Sequence, residues 1–211
     1  MGIIVDHPGL LTTVQDTGRW GSQHLGVSAA GPMDLASHRL ANRLVGNDEW
    51  AASLEVTLTG PELRFEESGV VAVTGAELAP QLDGVDLPMH TSCFVRRGQT
   101  LAFGTRTRGA RAYIAVAGGL DVPPVLGSRA THIASGVGGL DGRALRAGDR
   151  LSTGEVGSAT YAGKSVSAVT PLSTDGARVR FLPGPNVDRF DDAQLEQFEQ
   201  SRFTIVTESD R

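Results

Sequence analysis

The chain contains a single cysteine, Cys93, so a disulfide within the chain is excluded, as is a zinc site built from four cysteines or from two cysteines and two histidines. Cys93 lies in a strand-like run, where a free cysteine is more often a small buried hydrophobe than a nucleophile. The five histidines show no close ligand spacing, which favours surface or capping positions. We therefore expect no metal site.

Basic clusters and long apolar runs are also missing. The net charge is −5, which argues against nucleic acid as a partner. No run is long enough to span a membrane, and the N-terminus lacks the basic and apolar segments of a signal peptide. We expect a cytoplasmic protein. The chain also has no Gly-x-x-x-x-Gly-Lys-Ser/Thr phosphate loop and no Gly-x-Ser-x-Gly nucleophile turn.

Glycine is abundant, at 27 residues, and it separates many short apolar runs. This pattern is typical of short strands joined by tight turns, and it predicts a mainly β fold. The runs that we expect to be strands are Ile3–Val5, Leu11–Val14, Glu62–Glu66, Val70–Val73, Phe94–Val95, Leu101–Phe103 and Tyr113–Ala117.

One helix is well signalled at residues 32–45. Pro32 suits the first helical position, Asp34 places negative charge in the first turn, and Gly46 supplies the stop. Apolar residues in between follow helical spacing. Ser37, His38 and Arg39 fall toward the polar side of this predicted helix.

The composition predicts a domain at residues 1–164 and a linker at 165–177, rich in Ser, Thr, Pro and Gly. Residues 178–211 then begin a second unit. Within it, Val179–Leu182 and Phe203–Val206 look like strands, and residues 191–200 carry helical spacing.

Three stretches carry polar residues in settings that suit chemistry. The glycine-rich loop before the helix, with Asp16 and Arg19, could present backbone N–H groups to an anion. The alternative is a surface turn that Asp16 caps and in which Arg19 pairs with Asp16. Glu55 lies in a strand, where its side chain either points to solvent or lines a pocket, and with Asp34 it could form an acid/base pair. Arg129 follows a tight turn and is expected to be exposed.

Taken together, several separated motifs resemble the biotin-dependent carboxyltransferase / allophanate hydrolase subunit 2 family, which includes the PxpC subunit of 5-oxoprolinase and KipA-type regulators. The motifs are Thr12–Arg19, Ala30–Asp34, Asn47, Leu54–Glu55, Gly60–Pro61, Ala72–Ala76, Ala117–Pro123 and Gly127–Arg129. The resemblance implies a cyclophilin-like β-barrel with one prominent helix. It also implies that residues 178–211 start a second, incomplete cyclophilin-like half.

The resemblance implies a subunit of an ATP-dependent hydrolase that opens an amide or lactam, with the PxpC role in 5-oxoprolinase (5-oxoproline to glutamate) as the leading hypothesis. Two alternatives stay open: an allophanate hydrolase subunit 2 or biotin-dependent carboxyltransferase component, and a KipA-type non-catalytic regulator that binds a kinase inhibitor. The implied partner is a subunit 1 protein of the KipI or PxpB type. ATP is the implied cofactor, bound either by this chain or elsewhere in the complex. Biotin would be carried by another protein, because no Met-Lys-Met acceptor motif is present.

The same resemblance suggests the site residues. Asp16, Asp34 and Glu55 are the catalytic candidates, and Arg19, Asn47 and Arg129 are the substrate-binding candidates. We expect Asp16, Arg19, Asp34, Glu55 and Arg129 to meet in one cleft or at an edge that faces the partner. Arg19 is expected to be exposed, so that its loss would affect activity more than stability.

Overall fold

The structure, a computed structural model, describes residues 1–157, 162–167 and 180–204. The chain divides into two compact units, Met1–Leu172 and Ser173–Arg211. The boundaries proposed from the sequence fall partly on residues outside the described ranges and stay predictions. Within the described ranges, no helix is both long enough and apolar enough to cross a membrane.

The first unit contains two antiparallel sheets, which confirms the predicted mainly β class. A six-stranded sheet has the order β11-β1-β4-β9-β6-β7. Its strands are β1 (Gly2–His7), β4 (Glu62–Phe65), β6 (Pro80–Leu82), β7 (Val85–Asp86), β9 (Thr100–Phe103) and β11 (Arg150–Ser152). A five-stranded sheet has the order β2-β3-β10-β5-β8. Its strands are β2 (Leu11–Gln15), β3 (Ser53–Thr57), β5 (Gly69–Glu77), β8 (Ser92–Val95) and β10 (Arg108–Val116).

One apolar core lies between the two sheets. The six-stranded sheet contributes Ile3, Phe65 and Leu101, and the five-stranded sheet contributes residues such as Leu54 and Ile114, all fully buried. Side chains alternate along a strand, so every second residue of β3 and β10 points into this core. The residues between them point to the opposite face of the same sheet.

That opposite face carries helix α1, which spans Leu35–Val45. Ala41 and Val45 pack on Ala72 and Ala115 of the sheet. The helix ends at Gly46, as predicted, because this residue has a φ of 80° that glycine adopts without strain.

The start of α1 differs from the prediction. Asp34 is the N-cap, and its side chain accepts a hydrogen bond from the Ser37 N–H at 3.0 Å, so the helix begins at Leu35 instead of at residue 32. The predicted polar side is also wrong for His38, which is fully buried. This side of the helix rests on polar residues of the sheet, so a polar helix face is covered here and does not meet solvent.

In the second unit, helix α2 spans Asp192–Gln200 and confirms the helical spacing. A reciprocal capping box between Asp191 and Gln194 begins it. The rings of Phe181 and Phe203 each lie 5.2 Å from the ring of Phe198. The described parts of the two predicted strands, residues 180–182 and 203–204, are not strands, and Val179, Ile205 and Val206 lie outside the described residues.

Candidate functional site

Polar side chains cluster on the face of the five-stranded sheet that points away from the core. Thr13, Glu55 and Tyr113 are register partners on β2, β3 and β10, so their side chains form one row across the sheet. We call the set the polar face, and it consists of Thr13, Gln15, Ser53, Glu55, Arg111 and Tyr113. Helix α1 and the loop before it begin beside this row.

The Glu55 carboxylate ties the sheet to the start of α1. Its Oε2 accepts hydrogen bonds from the Met33 N–H and from the Tyr113 hydroxyl, each at 2.7 Å. The Tyr113 hydroxyl in turn accepts from the Asp34 N–H at 2.7 Å. The structure therefore brings Asp34 and Glu55 into one hydrogen-bond network, which sequence spacing alone did not establish.

Tyr113 is a permanent donor in this network. Burial raises the pKa of its hydroxyl, and the negative charge of Glu55 and the hydrogen bond to Glu55 raise it further. The hydroxyl therefore keeps its proton near neutral pH and holds the Glu55 carboxylate in place. A carboxylate held in one orientation is suited to positioning a water molecule or an N–H group of a substrate.

Arg111 faces the other oxygen of Glu55. Its Nε lies 3.7 Å from Glu55 Oε1, and the side chains of Arg111 and Glu55 are 20% and 12% exposed. The Nε atom itself is buried without a hydrogen-bond acceptor. The polar face thus combines a fixed carboxylate with a mostly buried guanidinium.

Asp16 organises the loops at the end of β2. Its Oδ1 accepts from the Gly18 N–H at 2.9 Å and from the Ser128 hydroxyl at 2.6 Å, and its Oδ2 accepts from the Arg129 N–H. Asp16 therefore caps a turn, as the alternative predicted, but the turn is buried, and Arg19 donates to backbone carbonyl oxygens instead of pairing with Asp16. It also fixes the segment that carries Arg129, a contact across more than a hundred residues of sequence.

Arg19 is only 1% exposed, so the expectation of an exposed guanidinium is wrong. Its Nη2 donates to the carbonyl oxygen of Ala130 at 2.6 Å, and its Nε donates to that of Val125 at 3.3 Å. Gly138 makes room for it, because a Cβ there would collide with both the Ala130 carbonyl and the Arg19 guanidinium. The side chain is buried because the loops of residues 125–138, distant in sequence, fold over it.

Arg129 and Asn47 occupy two different places. The Arg129 Nε donates to the Val122 carbonyl at 2.8 Å, and its side chain is 37% exposed beside Asp121. Asn47 lies beyond the far end of α1, which is about 16 Å long. Its side-chain Nδ2 donates hydrogen bonds to Asn42 Oδ1 and to the Val116 carbonyl oxygen, and its Oδ1 accepts one from the Gly118 N–H. The structure does not bring Asn47 to the polar face, and its predicted role in binding stays a prediction.

His38 and Ser53 form a buried pair that resembles a nucleophile with its base. His38 Nδ1 lies 2.9 Å from the Ser53 hydroxyl, and the Asn42 amide approaches Nε2 at 3.4 Å. Burial lowers the pKa of His38 to about 4, and the Asp16 carboxylate opposes this shift only in part. Both side chains are fully buried, so the pair fastens α1 to the sheet and presents no nucleophile.

The sequence-predicted residues thus form a loop group (Asp16, Arg19 and Arg129), a helix-start group (Asp34 and Glu55) and the separate Asn47. Sequence reasoning missed Arg111 and Tyr113. Their signal was their alternation with Ala112 and Ile114 in a strand whose other face is apolar.

Metal and thiol chemistry find little support in the parts of the chain that the structure describes. No group of three or more His, Cys, Asp or Glu residues there could hold a metal ion. Cys93 is half-buried against the core, and burial raises the pKa of its thiol. A raised pKa lowers the thiolate fraction, in keeping with the expected packing role.

Comparison with known proteins identifies the family. The carboxyltransferase domain family, subdomains A and B, matches residues 25–211. The chain belongs to this family. Among curated proteins, the C subunit of 5-oxoprolinase from Escherichia coli K12 is 41% identical over 209 residues, which is 96% of this chain and 64% of that protein.

The urea amidolyases form a second group of relatives. Urea amidolyase of Saccharomyces cerevisiae is 48% identical over 145 residues, which is 68% of this chain and 8% of that protein. The crystal structure of K. lactis urea amidolyase superposes with a TM-score of 0.82 at 36% identity, covering 93% of this chain and 13% of the other. The chain thus spans under two thirds of the length of these relatives.

Proposed function

We propose that this carboxyltransferase-family chain is a subunit of an ATP-dependent hydrolase that opens a small lactam or amide, of the PxpC type found in 5-oxoprolinase. The observation that carries the proposal is the 41% identity to the C subunit of the Escherichia coli enzyme over 96% of the chain. We propose a hetero-oligomer with a subunit 1 partner of the KipI or PxpB type, in the cytoplasm.

Within this proposal the polar face is the substrate site. Opening a lactam requires a nucleophilic water molecule near the ring carbonyl and a donor or acceptor for the ring nitrogen. The Glu55 carboxylate, fixed by Tyr113 and by the Met33 N–H, would position that water molecule or the lactam N–H. Asp16 and Asp34 would act as positioning residues, because their oxygens already accept hydrogen bonds from the protein.

The loop group of Asp16, Arg19 and Arg129 fits ATP poorly. The sequence has no Walker-type loop, and the guanidinium groups of Arg19 and Arg129 donate to backbone carbonyl oxygens. We therefore assign ATP to the assembly as a whole.

The proposal is tested by co-producing this chain with its subunit 1-type neighbour and the remaining proteins of the complex. We expect ATP-dependent release of glutamate from 5-oxoproline, and we expect none when this chain is omitted. An assembled complex that hydrolyses no 5-oxoproline would contradict the proposal.

A second candidate, a component of a biotin-dependent urea carboxylase or an allophanate hydrolase, is favoured by the 48% identity to yeast urea amidolyase. In that case the biotin would be carried by another protein. The same complex would consume ATP in response to urea only when a biotinylated protein is added. That outcome, without glutamate release, would replace the first candidate by the second.

A further inference from the structure

Two atoms of the polar face lack hydrogen-bond partners. Across the described residues, the buried side-chain nitrogen and oxygen atoms without a partner are Gln15 Oε1, Arg111 Nε and His90 Nδ1. The first two belong to the polar face, one as an acceptor and one as a donor. A buried polar group without a partner costs about 1–3 kcal/mol, so two such groups on one face call for an explanation.

The position of Glu55 explains why Arg111 keeps unfilled donors. At 3.7 Å, the separation of Arg111 Nε from Glu55 Oε1 balances charge but exceeds hydrogen-bond length. Glu55 cannot turn toward Arg111 without breaking the hydrogen bonds that its Oε2 accepts from the Met33 N–H and the Tyr113 hydroxyl. The guanidinium is therefore charge-compensated, and because its Nε is buried, an acceptor would meet the partly exposed end of the side chain.

The two guanidinium groups of the loop group already have hydrogen-bond acceptors, unlike that of Arg111. Arg19 and Arg129 each donate to backbone carbonyl oxygens and thereby hold loops together. In the described part of the chain, Arg111 donates to no carbonyl oxygen, and its one charged neighbour is Glu55, at 3.7 Å. Arg19 and Arg129 therefore have structural roles, whereas the hydrogen bonds of Arg111 would be completed by a ligand.

The backbone also directs Arg111 toward the polar face. The register between β10 and β5 shifts between Arg108 and Ala112, which marks a β-bulge just before this side chain points out. Gly75, opposite the bulge, has a φ of 85°, and a Cβ there would lie 2.5 Å from the Arg111 carbonyl oxygen. Bulges of this kind re-aim side chains and occur often beside active sites.

We propose that Arg111 is the residue that recognises the carboxylate of the substrate, next to the fixed Glu55 carboxylate. The inference rests on the proposed function and names what the site selects: a small cyclic amide with a carboxylate beside its ring nitrogen, as in 5-oxoproline. A guanidinium binds a carboxylate through two parallel, charge-assisted hydrogen bonds.

The test uses the assembled complex with wild-type chain, Arg111→Gln, Arg111→Lys and the control Arg64→Gln. Arg64 pairs with Asp6 on the other sheet, and it is partly exposed. Two quantities are measured: KM for 5-oxoproline and the inhibition constant of 2-pyrrolidinone, the same ring without the carboxylate. We expect Arg111→Gln to raise KM roughly ten- to hundredfold, because hydrogen bonds to a charged group are lost, and to leave the inhibition constant unchanged.

Arg111→Lys should recover part of the KM, because it keeps the charge but loses the paired geometry. Arg64→Gln should match wild type. Thermal melting of each variant shows whether the chain is folded. A KM that does not change in folded Arg111→Gln overturns the inference, and so does an equal loss for both ligands.

A direct binding measurement separates this inference from the proposed function. Calorimetric titration of 5-oxoproline into the complex compares wild type with Arg111→Gln. If wild type releases no glutamate but binds 5-oxoproline at least about tenfold more tightly than the variant, the proposed hydrolysis fails and the recognition by Arg111 stands. Equal binding, or no binding to wild type, overturns the recognition.

Discussion

The two faces of the five-stranded sheet are both covered, but they are built from opposite chemistry. Leu54 and Glu55 are neighbours on β3. Leu54 is fully buried in the apolar core, whereas Glu55 lies in a hydrogen-bond network under the start of α1. The alternation of side chains along a strand lets one strand serve both faces. Substitutions at adjacent positions should therefore separate stability from function.

The difference also shows where specificity resides. The inner face, which packs against the core, is stabilised by non-directional apolar burial, at about 1.5–3 kcal/mol for each large side chain. The outer face, which is the polar face, depends on directional hydrogen bonds, and two of its atoms stay unpartnered. A face of that second kind stabilises the fold less than an apolar one and is better suited to recognise a polar ligand.

The largest effect is expected at the inner face. Leu54→Ala removes a fully buried side chain and leaves a cavity, so the free energy of unfolding should fall by about 2–5 kcal/mol in chemical denaturation. The matched control is Leu10→Ala, because Leu10 is 64% exposed. An equal fall in the free energy of unfolding for the two variants would mean that Leu54 does not lie in the apolar core.

Arg19→Ala tests whether a buried arginine near the polar face is structural. The substitution leaves the buried Ala130 carbonyl without its charged donor, so the free energy of unfolding should fall by about 2–4 kcal/mol. Arg96→Ala, at an exposed position, should change it by less than about 0.5 kcal/mol. A stable Arg19→Ala chain that has lost activity would support the prediction from the sequence, in which Arg19 binds substrate.

His38 should make the outer face sensitive to acid. Its pKa is lowered from 6.5 to about 4 in the folded chain, so the unfolded chain binds the proton more readily between these values. Stability from the neutral ring is present above pH 6.5 and is lost as the pH falls toward 4, by roughly 2–3 kcal/mol. In denaturation curves, the difference in unfolding free energy between wild type and His38→Gln should shrink as the pH falls over this range, and a difference that stays constant would contradict this role of His38.

Tyr113→Phe should have a smaller effect on stability. The change removes the hydroxyl that links the Asp34 N–H to Glu55, at a cost of about 1–2 kcal/mol, while the ring still packs under α1. Amide hydrogen exchange should show faster exchange at residues 33–37 and no change in β5. Uniform acceleration over the whole unit would indicate that the network is not local to the helix start.

Much of this arrangement was predictable from local pattern. Apolar runs between glycines located most strands of the first unit, although not β6 or β7, and Gly46 located the end of α1. The start of α1 shifted because Met33 and Asp34 donate their N–H groups to Glu55 and Tyr113, partners that sequence spacing does not reveal.

The candidate site was predictable only in part. Motif resemblance pointed to Asp16, Asp34 and Glu55, and the structure connects the last two. The burial of Arg19 depends on loops more than a hundred residues away, which local pattern cannot show. Arg111 was overlooked because an arginine in a strand usually points to solvent, and its register partner Thr57 confirms that it shares the face of Glu55.

The most direct test of the polar face as the substrate site is the effect of Glu55→Gln on ATP-dependent glutamate release by the assembled complex. A glutamine can still accept the Met33 and Tyr113 hydrogen bonds, but it leaves the mostly buried Arg111 without its counter-charge, so we expect the free energy of unfolding to fall by about 1–3 kcal/mol. We expect kcat/KM for 5-oxoproline to fall by roughly a hundredfold or more, because the carboxylate that positions the reacting groups is lost. Glu62→Gln, exposed on the other sheet, should match wild type. Full activity in a folded Glu55→Gln complex would contradict the assignment of the site to the polar face.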